Sequence, residues 1–224
     1  MTNINKLIQD LTLKEKISLM SGFNSWYTNK IERLGVPSIK MSDGPNGVRG
    51  DSTSGKSSAC FPCAISIGST WDMDLINQLG VALGEEAKVK DVDVLLGPTI
   101  NIHRHPLGGR HFESFSEDPF LTGKIATEYV KGVQSQNVAA CLKHFIGNDT
   151  EYERHLVSSN IDEKTLREIY LLPFEMGVKE GNAQVVMSAY NKLNNIYCSS
   201  HKELLIDILK DEWGFDGYVV SDWG

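Results

Sequence analysis

Short apolar runs alternate along this chain with longer stretches of helical periodicity. The segments "VDVLLGP", "VAACLKHF", "AQVVMSAYN" and "GYVVSDW" each predict a strand, "VPSIKMSDG" and "AISIGST" predict short strands, and "HLVSSNI" predicts a weaker one. Between them, apolar spacing predicts helices over 73–90, from Asp118 to about Gln136, and from Asp162 onward through Pro173, which must kink or restart that helix. The pattern therefore predicts about seven strands separated by helices.

Two sequence signals mark helix starts with unusual clarity. Thr12 and Glu15 have the spacing of a capping box, in which each side chain bonds the other residue's backbone N–H. Ser200 and Glu203 have the same spacing and predict a second box, before the stretch "KELLIDILKDEWG".

Strands that alternate with helices and are almost continuously apolar indicate a parallel sheet covered by helices. A doubly wound sheet and a barrel both fit that description. Polar residues follow almost every strand: Asp43, Asn101, Arg104, Lys143, His144, Tyr190, Asn191 and Asp222. A barrel brings all such side chains to one mouth, whereas a doubly wound sheet places them in a line. No GxGxxG follows a strand, which argues against a doubly wound dinucleotide-binding fold. We therefore predict an α/β fold of the (β/α)8 TIM-barrel type, which is incomplete because about seven strands are present.

Composition narrows the range of partners. The chain has 224 residues and a formal net charge of −7, without a basic tract, so we expect neither nucleic acid nor an anionic membrane as partner. No apolar stretch approaches 18 residues and no signal peptide is visible, so the default expectation is a cytoplasmic protein. Cys60 and Cys63 have CxxC spacing but no second Cys/His cluster, so we predict no metal site and buried or partly buried thiols.

The residues at the predicted mouth suggest a carbohydrate ligand. Carboxylates and cations can hold pairs of hydroxyl groups, and an aromatic face can cover the C–H face of a sugar ring. The candidates are Asp43, Asp222, Arg110, Lys143, Arg154, His144, Tyr190, Trp223 and Trp71. A phosphate ligand would favour glycine-rich amides, and hydride transfer would need a cofactor site. Carboxylates beside a sugar indicate glycoside hydrolysis.

Five motifs carry a resemblance to a known family. "SDGPNGVR", "GPTINIHRHPLGGRHFESFSEDP", "KHFIGNDTEYER", "VMSAYNKLN" and "EWGFDGYVVSDWG" resemble, in order, the motifs of glycoside hydrolase family 3, in its bacterial β-glucosidase branch. The resemblance covers nearly the whole chain. It implies a barrel-type first domain over residues 1–224, no cofactor or metal, and a β-linked glucoside or oligosaccharide as substrate. It also implies a retaining mechanism that removes terminal β-D-glucosyl or related β-glycosyl residues.

The same resemblance assigns roles by position. Asp222 matches the nucleophile and Trp223 the aromatic residue beside it, while Asp43 matches the aspartate that binds the outer sugar hydroxyls. The further residues that match the sugar subsite are Arg110, Lys143, His144, Met187 and Tyr190. Arg104 and Arg154 are expected to support the site. His103, His105 and His111 are expected to be loop residues, and Trp26, Trp71 and Trp213 core residues.

The sequence stops directly after the proposed nucleophile. In the β-glucosidase branch, the acid/base glutamate lies on a separate C-terminal α/β domain, which is absent here. The N-acetylglucosaminidase branch instead keeps a histidine in a "KHFPGHG"-like motif, which "KHFIGNDTEYER" does not reproduce, and Glu113, Glu117 and Glu151 match no acid/base. We therefore expect a barrel cut short at its C-terminal end, with weak or no activity alone. Two alternatives stay open: a non-catalytic sugar-binding chain, and one chain of a two-chain enzyme.

Overall fold

The computed structural model describes residues 4–50 and 56–223, and these form a five-stranded parallel sheet with helices packed on one face and a separate three-stranded sheet. The strands are β1 (Met41–Asp43), β2 (Val94–Leu96), β3 (Ala139–Phe145), β4 (Ser158–Ser159), β5 (Val185–Ser188), β6 (Lys192–Leu193), β7 (Ile196–Tyr197) and β8 (Tyr218–Ser221). The α-helices are α1 (Ile4–Asp10), α2 (Leu13–Leu19), α3 (Ala64–Gly68), α4 (Met73–Val89), α5 (Pro119–Gln134), α6 (Glu163–Thr165) and α7 (Leu172–Lys179). Two π-helical segments span Leu166–Leu171 and Glu203–Glu212.

The main sheet contains five strands in the order β1-β2-β3-β5-β8, and every neighbouring pair is parallel. Its order follows the chain order, as in a barrel that is wound in one direction. In the register, Asp43 lies opposite Leu96, and Ser188 lies opposite Ser221. The sheet curls as part of a barrel wall, which confirms the predicted α/β barrel class and its incompleteness, with β1 and β8 as the two edges.

The two faces of this sheet bury different apolar sets. Val94, Leu96, Cys141, Val185 and Met187 join one cluster on the inner face, where Trp223 also packs. Their neighbours in sequence belong to the larger cluster that packs against the helices, namely Leu95, Ala140, Leu142 and Val186. This alternation with a period of two lets strands that are apolar on both faces serve two cores at once.

Close helix packing covers the outer face. Helices α4 and α5 meet at glycines, and a Cβ on Gly132 would lie 2.3 Å from the Asn77 carbonyl oxygen. Helix α5 in turn packs against α7. No helix in the described part of the chain combines the length and apolarity that crossing a bilayer requires.

Several predicted helix starts are confirmed. Thr12 accepts from the Glu15 N–H while the Glu15 carboxylate accepts from the Thr12 N–H, which completes the capping box. Asp118 caps α5 by accepting from the Leu121 N–H at 2.8 Å. The helix that begins after Asp162 passes through the π-helical segment and restarts as α7 with Pro173 in its first turn, where a missing N–H costs little.

Three local predictions were wrong. "AISIGST" forms helix α3, because burial of Ala64, Ile67 and Gly68 follows a helical spacing. "HLVSSNI" supplies only β4, which pairs with β6 in a separate small sheet β4-β6-β7, so the barrel sheet has five strands where about seven were expected. Ser200 does not cap the last helix, since it lies in a 3₁₀ turn and its hydroxyl donates to the Tyr197 carbonyl.

Burial corrects two further expectations. Cys60 and Cys63 are exposed, whereas Cys141 and Cys198 are buried. Trp213 is a core residue as expected, but Trp71 is 73% exposed and cannot belong to the core. Trp26 is half-buried and packs near the mouth of the barrel.

Candidate active site

Side chains from the carboxyl ends of the strands meet at one mouth of the sheet. Asp43 ends β1, Lys143 and His144 lie near the end of β3, and Asp222 directly follows β8. The Lys143 Nζ lies 2.8 Å from Asp43 Oδ1, and His144 Nε2 lies 3.7 Å from Asp222 Oδ2. The structure therefore brings together residues that are far apart in sequence, as a barrel mouth requires.

Asp43 and Lys143 form a largely buried ion pair. The side chain of Lys143 is 5% exposed and that of Asp43 is 27% exposed, and Arg49 lies 3.6 Å from the second Asp43 oxygen. Burial disfavours the Asp43 carboxylate, but the charge and hydrogen bond of Lys143, helped by Arg49, outweigh it and hold the pKa of Asp43 below its usual value. Both groups are thus fixed as charged hydrogen-bonding partners at the mouth.

His144 is buried and neutral. Burial, followed by the charges of Lys143, Arg110 and Arg154, lowers the pKa of His144 well below its usual value. Asn101 holds it through three contacts, to the backbone N–H, the carbonyl oxygen and the ring Nδ1. Because the ring is neutral, its approach to Asp222 is not an ion pair.

Arg110 lies in the long loop after β2 and is neutralised by two glutamates. Its Nε donates to Glu113 Oε1 at 2.5 Å, and its Nη1 lies 3.7 Å from Glu151 Oε1. Glu151 also accepts from Arg154 at 2.9 Å. The remaining Nη2 of Arg110 faces His144 Nε2 at 3.5 Å. Arg110 therefore reaches the mouth with its charge already compensated from behind.

Asp222 is surrounded by polar and aromatic groups. One of its oxygens accepts from the Trp223 N–H at 2.8 Å. The Tyr190 hydroxyl donates to the Trp223 carbonyl and also faces the Asp222 carboxylate. Burial first, and then the negative charge of Asp222, raise the pKa of Tyr190, so its hydroxyl remains protonated as a donor. Arg154 stacks on the Tyr190 ring at 4.8 Å from its centroid and holds the ring in place.

An aromatic and apolar wall lines the inner side. The Trp223 indole N–H donates to the Ser25 carbonyl at 2.8 Å, and its ring lies 5.7 Å from that of Trp26. Met187 is 2% exposed and belongs to the same inner cluster as Trp223. A cleft of about 580 Å³ opens beside Trp26, Asp222 and Trp223. The cleft runs along β8 and the segment 19–28, and of the predicted sugar-site residues only Asp222 and Trp223 line it.

Comparison with known proteins identifies the family. The sequence model described as "Glycosyl hydrolase family 3 N terminal domain" matches residues 6–224. The chain belongs to glycosyl hydrolase family 3. It is 56% identical over 222 residues to "Beta-glucosidase" of Rhizobium radiobacter, covering 98% of this chain and 27% of that protein. It is 50% identical over 230 residues to "Thermostable beta-glucosidase B" of Acetivibrio thermocellus, covering 99% of this chain and 30% of that protein.

Solved structures give the same relationship for this glycosyl hydrolase family 3 domain. A β-glucosidase from Kluyveromyces marxianus superposes with a TM-score of 0.95 at 49% identity, covering 99% of this chain and 27% of the other. β-Glucosidase 3B from Thermotoga neapolitana, solved in complex with glucose, gives 0.93 at 43% identity, covering 99% of this chain and 34% of the other. The chain thus spans about a quarter to a third of the length of these relatives.

The structure assembles most of the predicted residues of this domain but not all. Asp43 and Lys143 form one pair, and a second series of contacts joins Arg110, His144 and Asp222 and continues through the backbone of Trp223 to Tyr190. Met187 belongs to the inner apolar cluster against which Trp223 packs. Arg104 instead donates to the Tyr170 hydroxyl at 2.6 Å. Trp71 is exposed. His103 and His111 stack on each other at 5.0 Å in the loop after β2.

Sequence reasoning missed four residues of the mouth. Glu113 and Glu151 were considered only as acid/base candidates, Trp26 as a core residue, and Ser25 not at all. The spacing of Arg110 and Glu113 is a signal for an ion pair that could have been used. In residues 4–50 and 56–223, no three His, Cys, Asp or Glu side chains are grouped so that they could hold a metal ion.

Proposed function

We propose that this chain forms the sugar site of a retaining β-glucosidase, which hydrolyses terminal β-D-glucosyl or related β-glycosyl residues with Asp222 as nucleophile. One observation carries the proposal: the Asp222 carboxylate sits at the end of β8 among His144, Tyr190 and Trp223. Hydroxyl-binding and aromatic groups therefore surround a carboxylate, as glycoside hydrolysis needs. The β-glucosidase names of its relatives support this assignment.

The other side chains divide the work of holding the sugar. The Asp43–Lys143 pair presents an acceptor and a donor for neighbouring hydroxyls, and Arg110 adds donors on the opposite side. Trp223 supplies an apolar face next to the reacting carboxylate, and Met187 fills the space behind it. The contacts of the two carboxylates would strengthen as positive charge develops on the sugar ring in the transition state, because the sugar hydroxyls then become better donors.

The reaction then proceeds in two displacements. An Asp222 oxygen attacks the anomeric carbon, the glycosidic bond breaks, and the aglycone oxygen leaves with a proton from a general acid. Water next attacks the glycosyl–Asp222 ester, gives its proton to the same group acting as base, and releases the sugar and the Asp222 carboxylate. Each displacement inverts the anomeric carbon, because the attacking group approaches opposite the leaving group, so the two steps together retain the configuration.

We infer that the general acid is not one of the carboxyl groups that the structure describes. A retaining mechanism needs it about 5 Å from the nucleophile. Glu113 and Glu151 serve as counter-ions of Arg110, and Glu117 is exposed. Burial raises the pKa of Asp149 to about 6, but its partners are Tyr170, Arg104 and His111, none of which contacts Asp222. A missing acid lowers rates on poor leaving groups by about 10²–10⁴, and much less on activated ones.

Intact-mass spectrometry with a 2-fluoro glucoside that bears an activated leaving group tests this function. We expect a glycosyl adduct that peptide mapping assigns to Asp222, absent in Asp222→Asn and present in Asp216→Asn, whose carboxylate is exposed on the preceding loop. No adduct in a chain with a cooperative melting transition would contradict the proposal and leave a sugar-binding role as the alternative. Normal turnover of cellobiose by the chain alone would contradict the inference that none of the described carboxyl groups is the general acid.

A further inference from the structure

We propose that Asn101 is a positioning residue that fixes His144 with a proton on Nδ1, so that Nε2 accepts a hydrogen bond from a sugar hydroxyl group. The part of this inference that concerns the sugar rests on the proposed function. The part that concerns the histidine rests only on the hydrogen bonds around β3 and the loop after β2.

The orientation of the Asn101 amide is set by the backbone. The His144 N–H can only donate, and it lies 2.9 Å from one Asn101 side-chain atom, which must therefore be Oδ1. The His144 carbonyl can only accept, and it lies 2.9 Å from the other atom, which must be Nδ2. Two independent backbone groups thus exclude the flipped amide, and both residues are buried.

This orientation dictates where the imidazole carries its proton. His144 Nδ1 lies 3.1 Å from the same Asn101 Oδ1, an atom that can only accept, so Nδ1 must donate. A neutral ring then has a bare Nε2. Burial of His144 and the charges of Lys143, Arg110 and Arg154 disfavour a second proton and lower its pKa, in agreement with this assignment.

The unprotonated nitrogen has one donor and one acceptor as its polar neighbours. Arg110 Nη2 donates to Nε2 in a long hydrogen bond of 3.5 Å. Asp222 Oδ2 lies 3.7 Å from Nε2, and both of these atoms are acceptors, so nothing in that pair holds them together. A hydroxyl group resolves this arrangement, because it can donate its hydrogen to Nε2 or Asp222 and accept from Arg110.

An aspartate at position 101 would have the opposite effect. Its carboxylate would favour a positively charged imidazole, with a proton on Nε2 that donates and cannot accept. The cations Lys143, Arg110 and Arg154 would oppose that change, and Asp222 would favour it. An amide in this position therefore preserves both the neutral ring and its acceptor.

The first test is nuclear magnetic resonance of the full chain labelled with ¹⁵N-histidine, with the His144 signals assigned by their loss in His144→Gln. We expect the pattern of a protonated Nδ1 and a bare Nε2 between pH 5 and 8. The Asn101→Asp variant should convert His144 to the imidazolium pattern in the acidic part of that range. A proton on Nε2 in the unmodified chain overturns the proposal without any variant.

Asn194→Asp is the matched control. Asn194 also bridges a neighbouring segment, donating to the Ile161 carbonyl and accepting from its N–H, both at 2.9 Å. It touches no histidine ring, so its replacement should leave the His144 signals unchanged. If both aspartate variants change them equally, the effect is one of general structure and the positioning role is wrong.

The second test adds glucose. In the unmodified chain, glucose should shift the Nε2 signal in the direction of hydrogen-bond acceptance and leave Nδ1 nearly unchanged. Asn101→Asp should weaken glucose binding about 10- to 100-fold at pH 5, as expected for one lost hydrogen bond in a buried site, and less at pH 8. A glucose complex in which Nε2 does not shift overturns the acceptor role. Failure of the unmodified chain to bind glucose contradicts the proposed function, whereas the first test still decides the role of Asn101.

Discussion

Replacing Lys143 with methionine should destabilise the fold through the charge that it leaves behind. The Lys143 Nζ lies 2.8 Å from Asp43 Oδ1, a separation at which the gross attraction is about 6 kcal/mol at an effective dielectric constant near 20. Desolvation of two charges cancels much of that attraction. The Asp43 carboxylate, at 27% exposure, would nevertheless remain without its main partner. We expect Lys143→Met to lower the free energy of unfolding by about 3 kcal/mol.

A double-mutant cycle separates the pair from the rest of the structure. Asp43→Asn should also be destabilising, because it leaves the buried ammonium group unpaired. The double variant removes both charges and should cost less than the sum of the single variants, which gives a coupling energy of about 2 kcal/mol. Arg49→Gln is the matched control: Arg49 also faces Asp43, at 3.6 Å, but its side chain is 73% exposed, so we expect less than about 1 kcal/mol.

Urea denaturation followed by tryptophan fluorescence measures these free energies, and its pH dependence checks the sign. Burial works against the Asp43 carboxylate, but Lys143 and Arg49 prevail and lower its pKa, so its stabilising contribution is present above its ordinary value near 3.8. That contribution is lost as the pH falls through the lower pKa of the folded state. The coupling should therefore hold from pH 7 to 5 and decline below about pH 4. A coupling below about 0.5 kcal/mol at pH 7 would refute the reasoning.

Two further predictions concern stability. Glu86→Gln should lower the free energy of unfolding by about 2–4 kcal/mol in urea denaturation, because the Glu86 carboxylate binds the buried Lys90 and two backbone N–H groups of the loop after β1. An equal loss in the exposed Glu85→Gln variant would contradict this reason. Gly132→Ala should lower the free energy of unfolding by about 1–3 kcal/mol, since the new Cβ would lie 2.3 Å from the backbone of α4. A loss no greater than that of the exposed Lys131→Ala variant would show that the two helices can move apart at little cost.

The strands were predicted correctly where an apolar run fits a strand of a parallel sheet better than it fits a helix. The run that ends near His144 is buried on both faces, whereas β8, which precedes Asp222, is an edge strand and only partly buried. Because β1, β3 and β8 belong to one parallel sheet, their carboxyl ends lie at the same edge. The strand predicted for "AISIGST" was wrong, because its first five residues, which are apolar or small, fit a short buried helix as well as a strand. Its burial at Ala64 and Ile67 is decided by the helices above it, which local sequence does not report.

The contacts that complete the mouth are longer in range than any pattern used to predict them. Trp223 donates to the carbonyl of Ser25, which is 198 positions away in sequence. Trp26 was expected in the core because tryptophan usually is buried, yet it packs on Trp223 at the mouth. Glu151 could be recognised as a partner of Arg110 only once the loop after β2 had been placed beside the segment that follows β3. Local periodicity carries no information on such pairings.

The distribution of charge at the mouth fits the role of nucleophile that we propose for Asp222. Lys143 is paired with Asp43, Arg110 with Glu113, and His144 is neutral. In the described part of the chain, no lysine or arginine lies within ion-pair distance of Asp222. The Asp222 carboxylate therefore contacts hydrogen-bond donors and no lysine or arginine, which in the proposed mechanism leaves an oxygen available to attack. The same uncompensated charge is placed where it can stabilise a positively charged sugar ring, because a directly bound cation would cancel it.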